Sequence, residues 1–165
     1  YENTYRWVGP PSVVQEGGMP TPTFNVARLQ CEPYFADWAE FPELSLYGPE
    51  VLPSSVYEIQ AIEQDCMVFG QDVYSSALQA VTSRWGAVVE PQQPPSASVQ
   101  PDPLDVVSLV NKYKNLPGSP TKVAAKLQPA ILDLAGDVGA LDIVACIDAF
   151  KGLAYPHHGV TACPP

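Results

Sequence analysis

The chain has 165 residues, enough for one ordinary domain or two small ones, and its 46% hydrophobic content argues against global disorder. Nineteen prolines, more than twice the average usage of about 5%, are spread over the whole length and exclude long helices and central strands in favour of short strands and turns. Acidic residues outnumber basic ones by 18 to 8, and a net charge of −10 argues against nucleic acid or an anionic membrane as partner, leaving plain solubility, calcium or a basic protein to account for it.

In chain order, residues 1–90 read as β structure. Arg6-Trp7-Val8 is a short strand stopped by the turn Gly9-Pro10-Pro11. Residues 24–31 alternate apolar and polar side chains, as a half-buried strand does. Residues 43–47 and 56–63 are two more, and in the second Val56, Ile59 or Tyr57, and Ile62 compete for the inner face. A fifth strand is expected over 78–83. The proline-rich tract 91–99 is an extended, moderately stiff linker.

Beyond it the chain says the same thing twice. Leu104-Asp105-Val106-Val107-Ser108-Leu109-Val110-Asn111-Lys112-Tyr113-Lys114-Asn115-Leu116 recurs 37 residues later as Leu141-Asp142-Ile143-Val144-Ala145-Cys146-Ile147-Asp148-Ala149-Phe150-Lys151-Gly152-Leu153. Leu104, Val107, Val110 and Tyr113 fall at helical spacing, as do Leu141, Val144, Ile147 and Phe150, and these are the expected buried stripes. Helices this short are not stable alone, but two can bury their stripes against each other. The repeat marks a small paired-helix module over 100–165 and points away from catalysis.

The four cysteines, Cys31, Cys66, Cys146 and Cys163, lack the close spacing of a zinc site. Their even number and wide spacing suggest disulfides and an oxidising, extracellular location, with free buried thiols as the alternative. Of the three connectivities, one bridge in each half is expected: Cys31–Cys66 and Cys146–Cys163. No apolar run approaches the roughly 20 residues that span a bilayer. The chain opens on Tyr1 with no signal peptide, as a processed or partial product would.

The stretch Val51-Leu52-Pro53-Ser54-Ser55-Val56-Tyr57 resembles the approach to the sixth strand of fibronectin type III domains, in which a tyrosine hydroxyl reaches back to the upstream backbone and pins the corner between sheets. The resemblance implies that role for Tyr57 and a sandwich over 1–90. Such a sandwich needs about seven strands, and the first two are missing here. It is then abbreviated, a fragment, or completed by a strand from another polypeptide.

With Trp7-Val8-Gly9-Pro10-Pro11, Arg84-Trp85-Gly86 and the repeats taken together, the chain is similar to C-terminal regions of large secreted proteins of planctomycetes and related bacteria, which carry no activity to transfer. Residues 96–165 resemble a degenerate dockerin-type module, whose paired loop-helix repeats bind calcium and dock onto cohesin partners. Residues 145–152 with Tyr155-Pro156 and Cys163-Pro164 are the most specific part, and the resemblance also implies pairing of Cys146 with Cys163. Spacing tests the calcium reading. With Asp105 at the twelfth loop position, Asp102 falls at the ninth but Pro94 at the first; with Asp142 at the twelfth, Asp133 and Asp137 fall at the third and seventh but Ile131 at the first. Both loops lack the first carboxylate, and Asp105 and Asp142 equally suit the capping of a helix N-terminus.

Other residues offer less. His157-His158, the only histidines, read as a surface loop. Glycine-rich phosphate loops and nucleophile-elbow motifs are absent. Carboxylate pairs such as Glu40 and Glu43, or Asp65 and Asp72, arise readily by chance among 18 acidic residues. Trp7, Trp38 and Trp85 could stack on sugar but read first as core. The expectation is a mainly β chain with a small α module: an incomplete fibronectin-III- or immunoglobulin-like sandwich over 1–90, a linker over 91–99, and a dockerin-like helical repeat over 100–165. It acts outside the cell or at its surface by protein–protein docking or self-association, without catalysis and with no certain cofactor beyond the calcium question. The alternative is the C-terminal accessory or anchoring region of a larger secreted enzyme.

Overall fold

The computed structural model describes residues 5–16, 23–62, 74–89, 100–128, 134, 136–157 and 163. Among them a small β-rich part with two sheets precedes a small helical part.

The first sheet is built around β3 (Thr23–Gln30), with β1 (Trp7–Val8) and β2 (Ser12–Gln15) on one edge and β4 (Ser45–Tyr47) on the other. β1 and β2 are one interrupted strand. Register runs from Val8↔Leu29 to Ser12↔Val26, so four steps on this side match three on β3. The extra residue is a bulge at Gly9-Pro10-Pro11, where two prolines have no N–H for the ladder. Gly9 is required at the bulge, because a Cβ there would lie 2.8 Å from the Arg28 carbonyl that accepts its own N–H. β2 escapes the sequence analysis because Ser12-Val13-Val14-Gln15 follows a Pro-Pro pair and lacks alternation. Val26 and Ala27 of β3 are fully buried, as a central strand requires. β4 runs parallel to β3, whereas fibronectin-type sandwiches are built of antiparallel sheets.

The second sheet is the hairpin β5 (Val56–Ile59) and β6 (Leu78–Val81), registered Val56↔Val81 to Ile59↔Leu78. Val56 and Ile59, expected to contend for an inner face, are both exposed, and Tyr57 is the half-buried residue. The Tyr57 hydroxyl donates to the Glu50 carbonyl (2.8 Å) and accepts the Leu52 N–H (2.6 Å). Thr82 clamps the same turn, its hydroxyl donating to the Leu52 carbonyl (2.6 Å) and accepting the Ser55 N–H (2.9 Å). Tyr57→Phe leaves both Tyr57 partners unpaired and should cost about 1–2 kcal/mol, read as a lowered midpoint in urea with an unchanged slope.

The helical part comprises α1 (Pro103–Tyr113), the single turn α2 (Lys122–Ala125) and α3 (Ala140–Phe150). Each long helix ends in the same left-handed cap. Asn115 and Gly152, 37 residues apart, have φ of 54° and 80°, and the next residue's N–H returns to the helix, Leu116 to Asn111 O and Leu153 to Asp148 O. α1 and α3 pack on each other over Leu109 and Cys146, equivalent positions of the repeat and both fully buried, with Val88, Ala125 and Val138 completing the core.

Two expectations are corrected. The buried stripes are not those headed by Leu104 and Leu141. Asp105, Leu109 and Lys112 face inward on α1, and Asp142, Ala145, Cys146 and Ala149 on α3, while Leu104, Val107, Tyr113, Leu141, Val144 and Phe150 stay exposed. Periodicity assigned polar residues outward, but these polar residues have buried partners. The Lys112 ammonium meets the Glu16 carboxylate, which also accepts the Lys122 N–H at 2.9 Å, so β2 is tied to α1 and α2. The disulfide also differs. Cys31, just after β3, pairs with Cys163 across a Cα separation of 5.5 Å, and Cys146 is a free thiol inside the helical core. Burial on the inward face of α3, with its Sγ 3.4 Å from the Gly86 carbonyl, keeps Cys146 from the tail cysteine. Cys66 lies outside the described residues.

Candidate functional site

Two buried carboxylates set the orientation of the helix pair. Asp105, third residue of α1, accepts the Val88 and Val89 N–H groups through Oδ1 (2.8 and 2.9 Å) and the Asp102 N–H through Oδ2 (2.8 Å). Asp142 repeats the arrangement in α3, taking the Leu127 and Gln128 N–H groups through Oδ1 (2.7 and 2.8 Å) and the Gly139 N–H through Oδ2 (2.8 Å). Each satisfies an orphan donor at its own helix start and staples a preceding extended segment to the helix. The 37-residue repeat is thus structural as well as sequential.

The aspartates at the candidate calcium positions do not gather. Asp105 and Asp142 are engaged by three N–H groups each, and Asp102 accepts the Leu104 N–H at 2.6 Å. Asp137 is exposed and pairs with Lys122 at 3.5 Å, and Asp133 lies outside the described residues. Among the described residues no three metal-ligating side chains come together.

Turning the stapled face inward forces the opposite face outward. Leu104, Val107, Tyr113 and Leu116 in the first copy, and Leu141, Val144, Phe150 and Leu153 in the second, are between 45% and 71% exposed. They occupy the same four positions of the repeat. Beside each set stands an exposed lysine, Lys114 or Lys151, again 37 residues apart. Scattered apolar side chains on a surface need no explanation, but here the same four positions are exposed in both copies, while the stripe members Val110 and Ile147 are half-buried.

The other candidates are dispersed. Trp7 packs near Phe35 (6.2 Å between ring centroids), and Trp38 lies between Tyr34 and Phe41. Trp85 stands edge-on to Tyr155, which stands edge-on to His157. His157 is half-buried rather than a free surface residue, and His158 lies outside the described residues. The thiol of Cys146 is pushed up to about 12 by burial, with Asp105 and Asp102 adding to the effect, so it stays protonated and unreactive. Glu16, Lys112 and Lys122 escape the sequence analysis, since no local pattern distinguishes a buried charge from a solvated one.

No family model, curated protein or solved structure matches the chain.

Proposed function

We propose that the chain is a non-enzymatic, extracellular interaction protein that docks a protein partner through the duplicated apolar face of α1 and α3. The observation that carries this reading is the exposure of Leu104, Val107, Tyr113 and Leu116 together with their equivalents 37 residues on. Exposed apolar surface is costly in water and is the usual mark of a contact made elsewhere. The Cys31–Cys163 bridge suits an oxidising compartment. The sequence resemblance to dockerin-type modules agrees with docking, but the engaged aspartates favour a helix pair held by backbone caps rather than by calcium. In the self-assembling version, a second copy covers the face and a filament or surface layer results. The accessory-region version differs only in what the docked chain is attached to.

Light scattering of the wild type and of Val107→Glu/Val144→Glu tests both versions. Self-assembly predicts species heavier than 17.8 kDa that grow with concentration and revert to monomer in the double variant. A monomer throughout sinks self-assembly and leaves a heterologous partner, sought with a photo-crosslinking residue at 107 or 144 and a control at Gln79. One discrete cross-linked product from both helix positions, absent from the control, is expected. Identical smears from all three positions overturn docking.

A further inference from the structure

Where the hairpin meets the end of α3, the surface opens into a cleft of about 520 Å³, inside the roughly 300–1,000 Å³ range of small-ligand sites. Four stretches remote in sequence build it: residues 52–55 ahead of β5, Arg84 and Trp85 after β6, Gln100 and Pro101 ahead of α1, and the end of α3 with Tyr155 and His157 beyond it. Its position is held from both sides. The Tyr57 and Thr82 hydrogen bonds fix the 52–55 turn, and Gly86 lies so close to α3 that a Cβ there would clash with that of Ala149. Gly86 also has φ +83°, so glycine serves both the turn and the close approach.

Three features mark the cleft. The first is its rings: Trp85 and Tyr155 lie 5.8 Å apart at 68°, and Tyr155 and His157 5.3 Å apart at 87°, a half-buried edge-to-face array along the cleft wall. The second is a pair of orphans. Trp85 Nε1 and His157 Nε2 are buried with no hydrogen-bond partner among the described residues, an arrangement folded proteins rarely keep unless something else satisfies the atoms. The third is charge. In a chain of net charge −10, no acidic residue among the described ones lines this cleft, and Arg84, its one lysine or arginine, makes no ion pair among the described residues.

We propose that this cleft binds an acidic saccharide, a chain of pyranose rings carrying carboxylates. A pyranose presents a weakly positive C–H face, which complements the negative face of an aromatic ring. Its equatorial oxygens lie around the rim and offer the partners that the Trp85 indole N–H and the His157 nitrogen lack among the described residues. A uronate carboxylate supplies the anion for Arg84, a guanidinium built to bind it through two parallel hydrogen bonds. Gln100 and Ser54, on the same walls, hold amide and hydroxyl groups for the remaining oxygens. An acidic peptide satisfies Arg84 but brings no hydroxylated ring to two separate nitrogens. The site is independent of the helix face proposed for docking, with which it shares only Leu153.

The test is a titration of the 15N-labelled protein with trigalacturonate, galactotriose and hexaglutamate, following the three tryptophan indole N–H signals, each assigned through its own backbone. Trigalacturonate should move the Trp85 signal and leave those of Trp7 and Trp38 in place. Galactotriose should bind at least about tenfold more weakly, because it lacks the carboxylate. Arg84→Gln, at a side chain that makes no ion pair among the described residues, should lower trigalacturonate affinity by about tenfold with an unchanged melting curve. No movement of the Trp85 signal at millimolar trigalacturonate overturns the proposal. So does galactotriose binding equal to that of trigalacturonate, hexaglutamate moving the same signal as strongly, or an Arg84→Gln variant that binds like the wild type.

Discussion

Asp142→Ala should cost about 3–5 kcal/mol, the range for removing one partner of a buried, hydrogen-bonded charge. The carboxylate is 2% exposed and its two oxygens accept three backbone N–H groups, with the Lys126 ammonium 3.7 Å away. Alanine leaves Leu127, Gln128 and Gly139 facing a gap, and only part of that loss can be recovered by water. Against a typical stability of about 5–15 kcal/mol, the variant loses a large share of the fold. Asp105→Ala should behave alike, since Asp105 also accepts two N–H groups from the preceding extended segment and one from its own helix start. Chemical denaturation followed by circular dichroism checks both. A change under about 0.5 kcal/mol, the size of an ordinary surface substitution, would show that the staples carry no weight. The same experiment weighs calcium against capping. If capping is the whole role, wild-type curves in chelator and in millimolar calcium superimpose; a calcium-dependent midpoint in the wild type, lost in both variants, restores a metal role to these aspartates.

Cys31→Ser/Cys163→Ser should be the other large loss. The bridge closes a span of 132 residues, for which the chain-entropy account predicts about 5 kcal/mol, usually an upper bound. It ties the end of β3 to the tail beyond α3, so its removal loosens the β part and the helical part together. Reductant applied to the wild type should reproduce the variant's curve. Peptide mapping under non-reducing conditions should yield one cross-linked pair, Cys31 with Cys163. A Cys146–Cys163 peptide would mean that α3 is turned about its axis, and would overturn the inward packing of Cys146. That outcome is disfavoured by the position of Cys146 at the centre of the helix–helix contact, where the thiol is fully buried and protonated.

Local order was legible in the residues themselves. The alternation of 24–31 marked β3, the repeat marked α1 and α3 with a start one residue late and an end three residues beyond each helix, and the resemblance carried by residues 51–57 implied the role of Tyr57, whose hydroxyl reaches the backbone at Glu50 and Leu52. These features depend on neighbours a few positions away, so short-range pattern carries them. The Cys31–Cys163 bridge was not legible, because four cysteines allow three pairings and spacing alone does not choose.

The sequence by itself determined where the two long helices lie, that they are duplicates, and that apolar residues recur along them at helical spacing, while the single turn α2 escaped it. Only the tertiary structure decided which face of each helix is buried. Asp105, Lys112 and Asp142 turn inward because backbone N–H groups and Glu16 await them there, partners that lie from 3 to 96 residues away. A buried polar group is favourable only when such a partner exists, and a periodic pattern records polarity without recording partners. The apolar stripe was therefore real in the sequence, but its meaning changed from core to exposed face once those distant contacts were made.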